Sequence, residues 1–191
     1  MPKQFESKEK ARETIVAAAG KKLREKGFDG VGVDALMREA GLTSGAFYNQ
    51  FESKKELLFA VLSDGLESLQ ERFGEWQERF GDDWLTQGLD EYLSEEHRQC
   101  PASGCVLPSL SIEAARAAND CPMKKLFEEK LTDLVDCFAS ACEKSLNGEN
   151  REKLWAMLAL MTGGVLLARA MAKEQTAEEI LTACKNAGQR L

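Results

Sequence analysis

Apolar residues recur every three or four positions along most of the chain, and nowhere do they alternate long enough to predict a strand. Ile15, Ala18, Ala19 and Leu23 mark one face of a first helix, with Ser7 as its expected N-cap and Gly27 as its left-handed stop. Leu58, Leu62, Leu66, Leu69, Phe73, Trp76 and Phe80 carry the same spacing onward until Gly81-Asp82-Asp83 interrupts it, which predicts one long helix. A shorter helix follows around Leu85, Leu89 and Tyr92, and another begins after Cys100-Pro101-Ala102-Ser103-Gly104. Met123, Phe127, Leu131, Leu134, Phe138 and Cys142 stripe the next, with a stop at Asn147-Gly148. Two helices close the chain, one from about Arg151 to Met171 and one from Thr176, where Thr176 and Glu179 fit a capping box. The expected fold class is all-α.

Val33 to Leu57 is the most informative stretch. Val33, Leu36 and Met37 define a short helix, Ala40-Gly41-Leu42 a tight turn, and Thr43 caps a second helix, to Phe51, that carries Ala46, Phe47 and Phe51 inward. With Thr43 as N-cap, Leu42 and Phe47 fall at the two positions of a hydrophobic staple, so the sequence has helix-turn-helix grammar. Ser53 and Glu56 form a second capping box, and the free N–H groups of the helix they open, beside Lys54 and Lys55, suit a phosphate.

The run Gly41-Leu42-Thr43-Ser44-Gly45-Ala46-Phe47-Tyr48, with Phe51 and Ser53-Lys54-Lys55-Glu56-Leu57, resembles the TetR family of bacterial transcriptional regulators. Gly27-Phe28-Asp29-Gly30 fits that family's link between its first two helices, and the resemblance covers about residues 8 to 62. Val31-Gly32 and Asn49-Gln50 depart from the usual pattern. The resemblance implies a three-helix DNA-binding head at 1–52 and a helical effector-binding and dimerisation body at 53–191. It also implies that the helix from Thr43 to Phe51 enters the major groove, with Thr43, Ser44, Gly45, Ala46 and Asn49 near bases and Tyr48 and Lys54 on phosphates. The chemistry agrees, since Asn can read adenine, Ala can touch a thymine methyl, and Lys and Tyr can hold phosphate oxygens.

Charge sharpens this picture. Residues 1–62 hold 11 Lys and Arg against 9 Asp and Glu, and the remainder 14 against 23, so a slightly basic head precedes an acidic body. A head of +2 binds DNA weakly alone, and a homodimer through the helices at 151–171 and 176–191 doubles the contact on a palindromic operator. Leu154, Leu158, Met161, Val165 and Ala168, with Ile180, Cys184, Ala187 and Leu191, supply the expected interface stripes, with closure of the monomer's own core as the alternative. Leu154 to Ala168 is fifteen uncharged residues, short of the roughly 18 to 20 of a membrane span, and no signal-peptide core follows Met1 to Lys10, so a cytoplasmic protein is expected.

The resemblance implies that the middle helices, with Phe73, Trp76, Phe80, Trp84, Met123, Phe127 and Phe138, surround a small-molecule effector; on composition alone they are an ordinary aromatic core. Six cysteines, at 100, 105, 121, 137, 142 and 184, are too few for a disulfide scaffold. Cys105 opens a helix, where the dipole favours thiolate, and Ser103-Gly104-Cys105 resembles the stretch through which some TetR-family members sense electrophiles or oxidants; Cys100 is its main rival. An inert buried thiol is the alternative for Cys105. His97, Cys100, Cys105 and Cys121 offer metal-ligand types without ligand spacing, so no metal or cofactor is expected. No catalytic constellation appears either, which leaves a Cys105–His97 cysteine enzyme and a helical interaction module without DNA as the competing classes.

Overall fold

Ten α-helices and no strand make up the described residues: α1 (Pro2–Lys26), α2 (Val33–Glu39), α3 (Ser44–Tyr48), α4 (Lys54–Phe80), α5 (Trp84–Tyr92), α6 (Glu95–Gln99), α7 (Leu107–Arg116), α8 (Pro122–Cys142), α9 (Asn150–Ala170) and α10 (Glu174–Gly188). The computed structural model describes the backbone of residues 2–142 and 150–191 and the side chains of residues 8–139 and 150–191. The thiol of Cys142 and the stop at Asn147-Gly148 therefore lie outside the described residues.

The all-α class stands, and several boundaries move. The first helix starts at Pro2, so Ser7 lies inside it rather than capping it. α10 starts at Glu174 because the Lys173 carbonyl accepts the Ala177 N–H at 3.2 Å, which puts Thr176 within the first turn and removes its capping role. α6 falls in a stretch with no predicted helix; the Ser94 hydroxyl accepts the His97 N–H and caps it. α3 ends at Tyr48, short of Phe51.

The chain divides into two compact units, residues 1–65 with 101–124 and residues 66–100 with 125–191. In the first unit, α1 meets α2, α7 and the short turn Pro101–Ser103, and α2 meets α3. Ile15, Ala19, Leu23, Leu36, Met37, Phe47, Leu57 and Leu62 are buried there, along with Leu107, Leu110 and Ala114 of α7. Arg24 fixes the distant segment by donating from Nε at 3.0 Å and Nη2 at 2.5 Å to the Ala102 carbonyl.

In the second unit, Phe73 gathers Trp76, Trp84 and Phe138 with ring centroids 5.1, 5.7 and 5.3 Å away. α9 lies against α10, α5 and α6. By length and composition alone it would suit a membrane span, more than its fifteen uncharged residues suggested. Yet Leu154, Leu158, Met161, Val165 and Ala168 are buried within the unit. That corrects their expected place at a subunit interface: this stripe closes the protein's own core. The large apolar residues left uncovered on the same helix are Leu166 and Leu167, about half exposed, and Gly163 has open space above it.

Candidate nucleic-acid interface

The turn between α2 and α3 is built from the backbone outward. Gly41 has φ 68°, its N–H bonds the Arg38 carbonyl, and the Leu42 N–H reaches back to the Met37 carbonyl at 2.9 Å. That pair of bonds is a Schellman stop, which requires a left-handed residue and so a glycine at position 41. Thr43 then stands at the N-cap of α3 in extended conformation, as predicted, although its side chain accepts no capping bond. Gly32 caps α2 with no side chain to offer.

α3 is held by its inner face. Phe47 is fully buried, stacks on Phe51 at 5.7 Å and meets Tyr48 edge-on at 5.1 Å. Arg12 of α1 lies 4.2 Å over the Phe51 ring and donates to the Gln50 carbonyl at 2.9 Å. With the inner face fixed, Thr43, Gly45, Tyr48 and Asn49 are exposed together, and Tyr48 retains 69% of its surface. Ala46 is half-buried between the two faces. Ser44 is also half-buried, and its hydroxyl donates to Asp34 at 2.6 Å, so in this structure it braces α3 against α2.

The start of α4 departs from expectation in two ways. Ser53 accepts the Glu56 N–H at 3.2 Å, but Glu56 returns its bond to Glu52, one residue before the N-cap, at 2.7 Å. Lys54 turns inward: its ammonium donates to the Phe28 carbonyl and sits 4.2 Å over the Phe28 ring. Lys55 beside it is exposed.

The remaining candidates scatter. Cys105 is half-buried just before α7, and the Leu107 N–H donates to its sulfur at 3.4 Å. The Arg24 guanidinium lies close enough for electrostatic attraction to Cys105; burial lowers the Arg24 pKa, and the sulfur and Asp64 oppose that shift. Cys100 and Cys137 are exposed. Burial raises the Cys184 pKa. Trp76 is buried and donates to Glu91 at 3.2 Å, while Phe80 and Phe127 are half-buried. None of these residues lines the cavity of about 690 Å³ in the first unit, which is walled by Phe28, Leu58, Phe59 and Met123 and edged by Lys55 and Arg116. Sequence patterning could not reveal that cavity, because its walls come from segments far apart in the chain.

His97 is the one histidine. Burial lowers its pKa to about 4, and Nδ1 lies 2.6 Å from the Tyr92 carbonyl, so that nitrogen must carry the hydrogen. Among the described residues no three His, Cys, Asp or Glu side chains gather as metal ligands.

Residues 15–61, which span the second half of α1, all of α2 and α3 and the start of α4, match the family model for bacterial regulatory proteins of the tetR family. That segment carries the TetR-family helix-turn-helix head. Among the chain's relatives, the HTH-type transcriptional repressor NemR of Escherichia coli strain K12 is 23% identical over 185 residues, 92% of each chain. The crystal structure of the TetR-family regulator from Cytophaga hutchinsonii superposes with a TM-score of 0.78 at 17% identity, covering 97% of this chain and 96% of that one. AibR, solved with isovaleryl coenzyme A and operator DNA, superposes with a TM-score of 0.62 at 15% identity, covering 93% and 97%. The TetR-family head is thus matched in sequence, and the whole chain in fold.

Proposed function

We propose that this chain is a homodimeric TetR-family repressor that binds a palindromic DNA operator and is released by a small-molecule effector or by thiol modification. The observation that carries the reading is the exposed face of α3, where Thr43, Gly45, Tyr48 and Asn49 stand clear while Phe47 and Phe51 anchor the helix from behind. Small residues let the backbone approach the groove, Asn49 presents a bidentate amide to base edges, and Tyr48 presents a hydroxyl to phosphate. In this reading residues 1–52 read DNA and residues 53–191 bind effector and dimerise. Lys54 joins the phosphate contacts by exchanging the Phe28 carbonyl for a phosphate oxygen, with Lys55 beside it.

The dimer would form through the outer faces of α9 and α10, where Gly163, Leu166 and Leu167 lack cover. Release by thiol chemistry would centre on Cys105, whose sulfur has the Leu107 N–H and the Arg24 charge to stabilise a thiolate. NemR is a repressor by name and AibR was solved with both an acyl coenzyme A and its operator, which favours repression and effector control here. As a DNA-binding regulator the chain works in the cytoplasm.

The test is selection of a random duplex library by the purified full chain. Enrichment of one inverted repeat, with affinity falling steeply as salt rises, is the expected result. Binding that enriches no repeat, or that ignores salt, overturns the reading.

A further inference from the structure

We propose that the cavity beside Phe28 is a ligand site for an amphipathic organic monoanion, an aryl or alkyl carboxylate, and that its occupant acts on the DNA-reading helices directly. The proposal rests on the regulator reading and names where, and to what chemistry, that regulator responds. About 690 Å³ is the size of a site for a small organic molecule. Leu58, Phe59, Pro122 and Met123 supply apolar walls suited to a ring or an alkyl chain.

The charges at the edge select the head group. Glu56 faces the cavity, but its carboxylate already accepts the Glu52 N–H and lies 3.7 Å from Arg12. Lys55, Arg116 and Glu113 have no ion-pair partner among the described residues, so two free cations oppose one free carboxylate. A single negative charge balances the site, and Arg116 can take a carboxylate through two parallel N–H donors. Phe28 links occupancy to the head, because it lines the cavity and its carbonyl and ring hold the Lys54 ammonium. A ligand that displaces Phe28 loosens the first residue of α4 and the loop that leads into α2.

Calorimetric titration of the full chain with 2-naphthoate and with neutral 2-naphthamide, without DNA, tests the site. The acid should bind about tenfold or more tightly than the amide, Arg116→Glu should abolish that preference, and Ala118→Trp, which fills the cavity from an exposed wall position, should abolish binding. Saturating 2-naphthoate should also slow alkylation of Cys121, which lines the cavity, and leave exposed Cys100 unaffected. Equal binding of acid and amide, or undiminished binding by Ala118→Trp, overturns the site. With the selected operator, 2-naphthoate should weaken binding about tenfold; an unchanged affinity overturns the action on the head. Should the unliganded chain select no repeat at all, the regulator reading fails while the calorimetry still decides the site.

Discussion

Val106 occupies the space that a side chain at Gly65 would need: a Cβ built there stands 2.1 Å from Val106 Cγ1 and 2.9 Å from Cγ2. Gly65 lies on α4, and Val106 is the residue after Cys105, so the long helix and the thiol-bearing segment meet without slack. Gly65→Ala should therefore cost about 1–3 kcal/mol through overpacking. Gly74→Ala, on the same helix with nothing within 4 Å, should raise stability by about 0.5–1 kcal/mol. Urea unfolding of the two variants checks both signs.

The same contact bears on thiol chemistry. Arg24→Gln should slow alkylation of Cys105 severalfold by removing the cation that favours its thiolate, and Arg24→Lys should restore part of the rate. Peptide mass mapping after brief alkylation reads the rate. Cys105→Ser should keep operator affinity and lose its sensitivity to oxidant; a Ser variant that still responds would return the thiol to the inert class.

Two substitutions separate reading from holding. Asn49→Ala should change base preference at one position of the repeat at a cost of about 1–3 kcal/mol. Lys54→Ala should weaken all sequences alike and also lower the melting temperature, because the ammonium fastens the Phe28 loop. Competition binding on single-base operator variants, paired with thermal unfolding, distinguishes the two.

His97 makes stability depend on pH. Its folded pKa of about 4 lies below the ordinary 6.5, so the unfolded chain binds more protons between those values. Its contribution is full above about pH 6.5 and falls away as pH drops towards 4, by at most about 3 kcal/mol. His97→Gln should flatten that part of the pH profile measured by urea unfolding.

On the outer face of α9, Leu166→Glu should yield a monomer of unchanged helicity with greatly reduced operator affinity. Sedimentation velocity gives the first outcome and DNA titration the second.

The local parts of this structure were legible in the sequence because local rules govern them. Gly41 sits where only a left-handed turn works, and Phe47 and Phe51 follow at a spacing that buries both. The inner stripe of α9 was equally visible, but its partner was not: periodicity says that Leu154 and Val165 are covered without saying by what. Lys54 shows a further limit, since a lysine at a helix start suits phosphate, and only the path of the loop reveals a carbonyl within reach. Of the twelve cavity residues, only Met123 fell in the stretch expected to surround an effector, because no pattern joins position 28 to positions 58 and 123.

The first compact unit is assembled from two stretches of chain, 1–65 and 101–124, with residues 66–100 between them. During translation, a ribosome that has released residue 65 has yet to make the carbonyl of Ala102 that Arg24 holds and the Val106 that covers Gly65. The unit that carries α3 is therefore completed late, once residue 124 has emerged, and a fragment cut after residue 65 would leave Arg24 without its acceptor and α1 without α7.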